Sequence, residues 1–347
     1  MALIAKKYHG KIVDLHHYGH IIVADMDGKI LWQLGDPNRV TYSRSSAKPM
    51  QAIPLVESGA VDEYGITEKE LAVMCASHNA EDFHTEAVLS ILGKAGLDES
   101  YLQCGTHYPL SAYMENKFKA EGIVPTPIHN NCSGKHSGML ITAKIRNESL
   151  NDYYLPSHPL QMRITETIAE MCEYPADQIV IGCDGCGVPV HAMPMYKFAQ
   201  GYAKMSKPET LEPGREKTVR RITSAMTSYP EMVGGTGRFT TELMQMFGDR
   251  LFCKSGASAF FAIGLKGKGI GIVMKMEDGN SGIIPLAMLE TLVQIGEITA
   301  NEAQSLPSFK DMISKNHKKE VIGKTVSDFV LEKTAQYQNE IKGLKLK

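Results

Sequence analysis

Gly19-His20-Ile21-Ile22-Val23-Ala24-Asp25-Met26-Asp27-Gly28-Lys29-Ile30-Leu31-Trp32-Gln33-Leu34 decides the fold. Two short apolar runs flank the turn pair Asp27-Gly28, and together they predict a β-hairpin. A counterpart lies near the other end: Ala257 to Leu265, then Lys266-Gly267-Lys268-Gly269, then Ile270 to Met276. Most of the roughly 200 residues between them follow a helical pattern. Thr67-Glu68-Lys69-Glu70 is a capping box opening a helix through Leu71, Ala72, Val73 and Met74. Apolar residues at 88, 89, 91, 92 and 97 form a helical stripe, and 159–174, 213–227, 240–246 and 282–295 read as further helices. Hairpins at both ends with helices between predict an α+β fold: one antiparallel sheet formed by both chain ends, helices packed on it and a helical region inserted. The chain reads as a single unit, with a sheet subdomain from about 1–40 and 250–347 and a helical, site-bearing region over about 41–249. The tail from Ser308 should add a strand or helix, and Lys342 to Lys347 a solvated end.

The chain has 347 residues, enough for two domains or one large one with subdomains. Its 37 basic and 39 acidic residues leave a formal net charge of -2, which argues against nucleic acid or an anionic membrane as the main partner. The start, Met1 to Tyr8, has lysines after a very short apolar run and no small-residue cleavage site downstream, so it is not read as a secretory signal. No stretch approaches the ~18–20 apolar residues of a membrane span. Seven cysteines are few and odd in number, unlike a disulfide framework. The expectation is a soluble, cytoplasmic protein with reduced thiols.

Three short motifs carry hydrolytic chemistry. Ser45-Ser46-Ala47-Lys48 opens an apolar segment running to Val56; as a helix start it puts residues 45 and 48 on one face. A lysine there can act as base for a serine nucleophile if burial or a second cation lowers its pKa. Pro49 suits the first turn, whereas Pro54 should kink or end the helix. Ser77-His78-Asn79 follows the helix begun at Thr67, and Lys254-Ser255-Gly256 precedes the late strand. Each alone is ordinary: an N-cap serine beside a surface lysine, a loop after a helix, a strand start. In this order and placement they match the three-part signature of penicillin-binding proteins and class A β-lactamases, and point to a serine amidohydrolase.

The cysteines fall into two sets. Asn131-Cys132-Ser133-Gly134-Lys135-His136 and Cys183-Asp184-Gly185-Cys186-Gly187-Val188-Pro189 are glycine-punctuated loops, the second after the strand-like Gln178-Ile179-Val180. Two soft thiolates from separate loops can hold Zn²⁺, although one Cys-x-x-Cys and a single Cys132 do not make a zinc ribbon. A thioredoxin-like reading of the Cys-x-x-Cys lacks its βαβ context. Cys75, Cys104, Cys172 and Cys253 read as small core residues, with Cys183 as a further candidate.

Taken together, the sequence resembles the L-asparaginase II family of the rhizobial inducible type. The stretches that carry the resemblance are Arg44-Ser45-Ser46-Ala47-Lys48-Pro49, Pro54 to Gly59, Cys75-Ala76-Ser77-His78-Asn79, Asn131 to His136, Cys183 to Pro189 and Lys254-Ser255-Gly256-Ala257. The resemblance implies a serine β-lactamase-like build and hydrolysis of L-asparagine to L-aspartate and ammonia through a serine acyl-enzyme. It implies Ser45 as nucleophile, Lys48 as its base, Ser77 as proton relay and Lys254 as the second cationic partner. It implies Cys132, Lys135 and Cys186 as ligands of Zn²⁺, and Asp184, His136 and Asn79 as substrate-side residues. Arg44 would meet the substrate carboxylate, or else serve as a structural ion-pair partner. A homodimer is the implied assembly. Ser255 stands where other members carry Thr or Gly. Two rivals remain: a penicillin-interacting D,D-peptidase or β-lactamase-like hydrolase, and a zinc-organised thiol-redox or binding protein centred on Cys183 and Cys186.

Overall fold

Both predicted hairpins form, and they meet in one sheet. The computed structural model describes residues 1–310 and 312–334. The first end supplies β1 (Ala2–His9), β2 (Ile12–Asp25) and β3 (Ile30–Leu34). The inserted region adds β4 (Val40–Tyr42), β5 (Val180–Cys183) and β6 (Pro189–Pro194). The far end supplies β7 (Leu251–Gly256), β8 (Phe260–Leu265), β9 (Ile270–Met276), β10 (Ile313–Lys315), β11 (Val321–Ser327) and β12 (Glu332–Lys333).

The main sheet runs β10-β11-β1-β2-β9-β8-β7, with β3 on β2 and β12 on β3, all antiparallel. The seam between the chain ends is β2 against β9, where Ile21 faces Met274 and Val23 faces Ile272. The α+β class and the sheet drawn from both ends are therefore as the hairpins predicted.

The central strands are buried almost continuously, because helices cover the sheet. The helix Met195–Ser206 packs on β2, β8 and β9. It approaches so closely that a Cβ on Gly271 of β9 would lie 1.9 Å from the Ala199 carbonyl oxygen, so only glycine fits there. The helix Ile284–Gln294 packs on β9 and β11.

Three features differ from the expectations. The helix Lys48–Glu57 runs on through Pro54. Every residue from Lys48 to Val56 is buried, against the helices Pro159–Cys172 and Pro213–Ser228 among others, so tertiary packing offsets the missing N–H. Strand β1 and the small sheet β4-β6-β5 had no strong local signal. The tail after Ser308 contributes three strands, β10 to β12, while Lys342 to Lys347 lie outside the described residues. The capping box at Thr67 forms as expected.

Candidate active site

The small sheet delivers the first motif. β4 pairs with β6, and the Ser43 N–H donates to the His191 carbonyl of β6 at 3.1 Å. The chain then turns sharply at Arg44, whose φ is 51°, into a 3-10 turn over Arg44–Ala47 that leads into the helix Lys48–Glu57. Left-handed backbone at a non-glycine residue is strain of the kind that functional sites retain. Strand β7 is tied to this turn: Ser46 Oγ donates to the Lys254 carbonyl at 2.8 Å, and Tyr202 OH donates to the Ser46 carbonyl at 2.7 Å. The third motif is thereby fixed against the first.

The second motif enters from the end of the helix Glu68–Met74. The Ser77 N–H donates to the Val233 carbonyl at 2.9 Å, and the His78 N–H to the Asn131 carbonyl at 3.3 Å. His78 is fully buried; burial and the neighbouring cations push it well below the usual histidine value, and it bonds Ser133 Oγ at 2.9 Å. It is a neutral structural group that ties this loop to the helix Ser133–Ile145.

These contacts bring the side chains of all three motifs together. Ser77 Oγ lies 2.9 Å from Lys254 Nζ and 3.2 Å from Lys48 Nζ. Lys254 is also bonded to the Ser255 carbonyl at 2.8 Å. Lys48 further donates to the Ala76 carbonyl and lies 3.2 Å from Cys132 Sγ. Burial first, then Lys48 and Arg238, hold Lys254 well below the ordinary lysine value. Ser45 and Ser77 open onto one cavity of about 590 Å³, shared with Asn131, Arg238 and Ser255. Among the described residues, Ser45 Oγ makes no hydrogen bond to Lys48; both lysines turn to Ser77 instead.

The thiol loops form a second cluster behind the first. Lys135 Nζ lies 3.1 Å from Cys186 Sγ, and Cys132 links that cluster to Lys48. The Cys132 thiol donates to Cys186, which with Lys135 close by lowers Cys186 to about 5 and pushes Cys132 up to about 12. Burial works against a charge on Lys135, but Cys186 and Cys132 outweigh it and raise its pKa. Asp184 is disfavoured by burial yet held below the usual carboxylate range by Lys135 and Arg44. Two sulfurs and one amine thus converge, the amine 3.1 Å from Cys186 Sγ and Cys132 hydrogen-bonded to Cys186. Among the described residues no three His, Cys, Asp or Glu side chains group to hold a metal, so an ion here would depend on the lysine. The donor set fits Zn²⁺ if Cys132 and Lys135 give up their protons on binding.

The remaining candidates are spread around these clusters. Arg44 is taken up by Asp184, with Nη2 at 2.8 Å and Nε at 2.9 Å from the same oxygen. His136 is fully buried, and its pKa is lowered to about 3 by burial and then Lys135. Tyr153 OH accepts from the Gln103 N–H at 3.0 Å and is hydrogen-bonded to His136 Nδ1 at 2.7 Å. His136 Nε2 has no partner among the described residues. Asn79 is buried and accepts from Arg238 at 3.5 Å. Cys183 is exposed, contrary to a core role, whereas Cys75, Cys104, Cys172 and Cys253 are buried. Burial pushes Cys75, Cys104 and Cys172 up to about 12, which keeps them protonated and inert. Arg238 went unread in the sequence. Its signal was the glycine-rich run Gly234-Gly235-Thr236-Gly237 placing an arginine at the start of the helix Phe239–Phe247.

The L-asparaginase II family model matches residues 5–327, and the chain belongs to that family. No curated protein sequence matches it. Among solved structures, Mglu in its native form is 14% identical with a TM-score of 0.42, over 82% of this chain and 66% of that one. Mglu in the presence of 4.3 M NaCl is 16% identical with a TM-score of 0.37, over 81% of this chain and 61% of that one. The chain thus spans about two-thirds of that protein's length. Among the described residues no helix is long and apolar enough to cross a membrane.

Proposed function

We propose that the protein hydrolyses the side-chain amide of L-asparagine to L-aspartate and ammonia through a serine acyl-enzyme. The observation that carries this reading is the Ser77 hydroxyl held between two buried lysines, in a cavity it shares with Ser45. Ser45 Oγ attacks the amide carbon, and its proton passes into the Lys48–Ser77–Lys254 chain. Lys254, kept neutral by burial and its cationic neighbours, is the member able to retain that proton. The backbone N–H of Ser45 lies at the start of its turn and supports the developing oxyanion. Collapse of the tetrahedral intermediate expels ammonia, with the proton returned through Ser77. Water then hydrolyses the aspartyl ester with the same groups acting in reverse. Apo hydrogen bonds are often looser than those in the substrate complex, so the missing Ser45–Lys48 bond does not remove Ser45.

A second reading makes Ser77 the nucleophile, since its hydroxyl is the one bonded to both lysines. Cys132, Lys135 and Cys186 would hold Zn²⁺, which when bound supplies positive charge beside the pocket to orient substrate. His136 Nε2 and Asp184 are the groups proposed to face substrate or water on that side. Two sulfurs that must stay unoxidised fit a cytoplasmic setting, and a homodimer is the assembly proposed with it.

The test is ammonia release from L-asparagine and L-glutamine by purified protein, with mass spectrometry of the acid-quenched enzyme. Ser45→Ala should abolish both turnover and the trapped aspartyl adduct. An adduct that survives in Ser45→Ala and vanishes in Ser77→Ala selects the second reading. Penicillin labelling of Ser45 without ammonia release selects the D,D-peptidase rival, and a redox-active dithiol without ammonia release selects the thiol-redox rival.

A further inference from the structure

The cavity beside Ser45 and Ser77 has an unusual charge pattern. Arg238 is the one charged side chain among its lining residues, and no aspartate or glutamate lines it. Elsewhere the arginines are matched. Seven of the others described, Arg44 among them, meet a carboxylate. The eighth, Arg146, is exposed to water. Arg238 is half-buried, and among the described residues no carboxylate pairs with it. Its one hydrogen bond is a long contact of 3.5 Å to Asn79 Oδ1.

The local backbone explains why it stays there. Gly235 has a φ of 91°, and a Cβ on it would lie 2.4 Å from Asn79 Nδ2. The glycine run therefore passes directly over Asn79, and Asn79 steers Arg238 rather than reaching the cavity itself. The helix Phe239–Phe247 continues from Arg238, which serves as its N-cap residue, so the base of the side chain is anchored. Burial makes a positive charge on Arg238 less favourable, which no counter-ion among the described residues relieves. A guanidinium in this state gains most from a planar anion that accepts two parallel hydrogen bonds, which is the geometry of a carboxylate. Arg44, the arginine singled out by sequence, is engaged with Asp184 and has no such capacity.

We propose that Arg238 binds the substrate's free carboxylate, so that the cavity selects short amides with a carboxylate at the opposite end. This rests on the amide-hydrolysis reading above. Recognition by Arg238 makes the carboxylate, rather than the α-ammonium group, the determinant read within the cavity. Succinamate, which lacks the amine, should then be a substrate. β-Alaninamide, which keeps the amine and lacks the carboxylate, should be a poor one.

The experiment measures ammonia release from L-asparagine, succinamate and β-alaninamide by the full chain and by Arg238→Gln and Arg238→Lys. Loss of a charge-assisted pair should raise KM for L-asparagine and succinamate about 10- to 100-fold in R238Q, with kcat changed less. R238K, which keeps the charge without the fork, should fall between, and β-alaninamide hydrolysis should be unaffected. An equal loss on all three amides, or an unchanged KM for L-asparagine, overturns the assignment. Calorimetric titration with L-aspartate and succinate separates it from the parent reading. If the wild-type protein releases no ammonia from any amide, the hydrolysis reading fails. Weaker dicarboxylate binding by R238Q would then still support Arg238, and unchanged binding would overturn it.

Discussion

Replacing Lys254 with methionine separates what this residue does for the reaction from what it does to the fold. Lys254 is fully buried and bonded to Ser77 Oγ at 2.9 Å and to the Ser255 carbonyl at 2.8 Å. Burial, then Lys48 and Arg238, hold it well below the ordinary value of 10.5. The unfolded chain therefore keeps this proton to higher pH than the folded chain does. The sign follows: stability is reduced below the unfolded pKa and recovers as pH rises toward 10.5. At about 1.36 kcal/mol per tenfold, the ceiling of this penalty near pH 7 is about 5 kcal/mol. Methionine has similar length and no such penalty. It forfeits both hydrogen bonds and leaves the Ser255 carbonyl without that donor, a loss of about 1–3 kcal/mol. K254M should therefore gain at most about 2–4 kcal/mol over wild type near pH 7, and the gain should shrink by about pH 9.5. Activity moves the opposite way, with kcat lower by about 10²–10⁴-fold. Urea unfolding at the two pH values and ammonia release read the two effects separately. A variant that is less stable at neutral pH, by an amount that does not change with pH, would show that folded Lys254 is charged and would refute its role as a neutral base.

Other consequences are equally specific. His191 is fully buried, and burial followed by Lys135 lowers its pKa to about 4. The unfolded chain takes up this proton near the ordinary 6.5, so stability falls as pH drops from there toward 4. By pH 4.5 about 2–3 kcal/mol should be lost, and denaturant unfolding of His191→Gln should show a shallower acid slope. Gly134 sits in the helix Ser133–Ile145, where a Cβ would come within 2.2 Å of the Val73 carbonyl oxygen. Gly134→Ala must push this helix off the helix Glu68–Met74, so it should lose about 1–3 kcal/mol by thermal or urea unfolding and lower activity by displacing Ser77. Metal analysis of chelator-free protein should find about one zinc per chain, reduced in Cys186→Ala. Because Cys132 and Lys135 both start protonated, zinc affinity measured by competition should rise by about a hundredfold per pH unit near neutrality. A rise of only about tenfold per pH unit would remove the lysine from the ligand set.

The sequence by itself determined the elements whose causes are local. Asp27-Gly28 closes a hairpin because those residues tolerate the turn, and Thr67 with Glu70 caps a helix because the two reach each other's backbone N–H. Both signals act over a few residues and survive any tertiary context. The order of the three motifs was legible for the same reason, and hairpins at both ends with helices between implied the shared sheet. What only the tertiary structure decided are contacts between residues far apart in the chain. Lys48 was expected beside Ser45, three residues away, yet packing of the Ala76-Ser77 and Asn131-Cys132 segments turns its amine to Ser77. Arg44 was open between a substrate role and an ion pair until β5 and β6 placed Asp184 against it. Pro54 ends a helix in isolation but not where helices enclose it on a buried path. Arg238 is set apart from the eight other arginines in sequence only by the glycine run before it, which does not say what it meets. Its significance comes from which carboxylates failed to reach it, and that is a property of the packed chain alone.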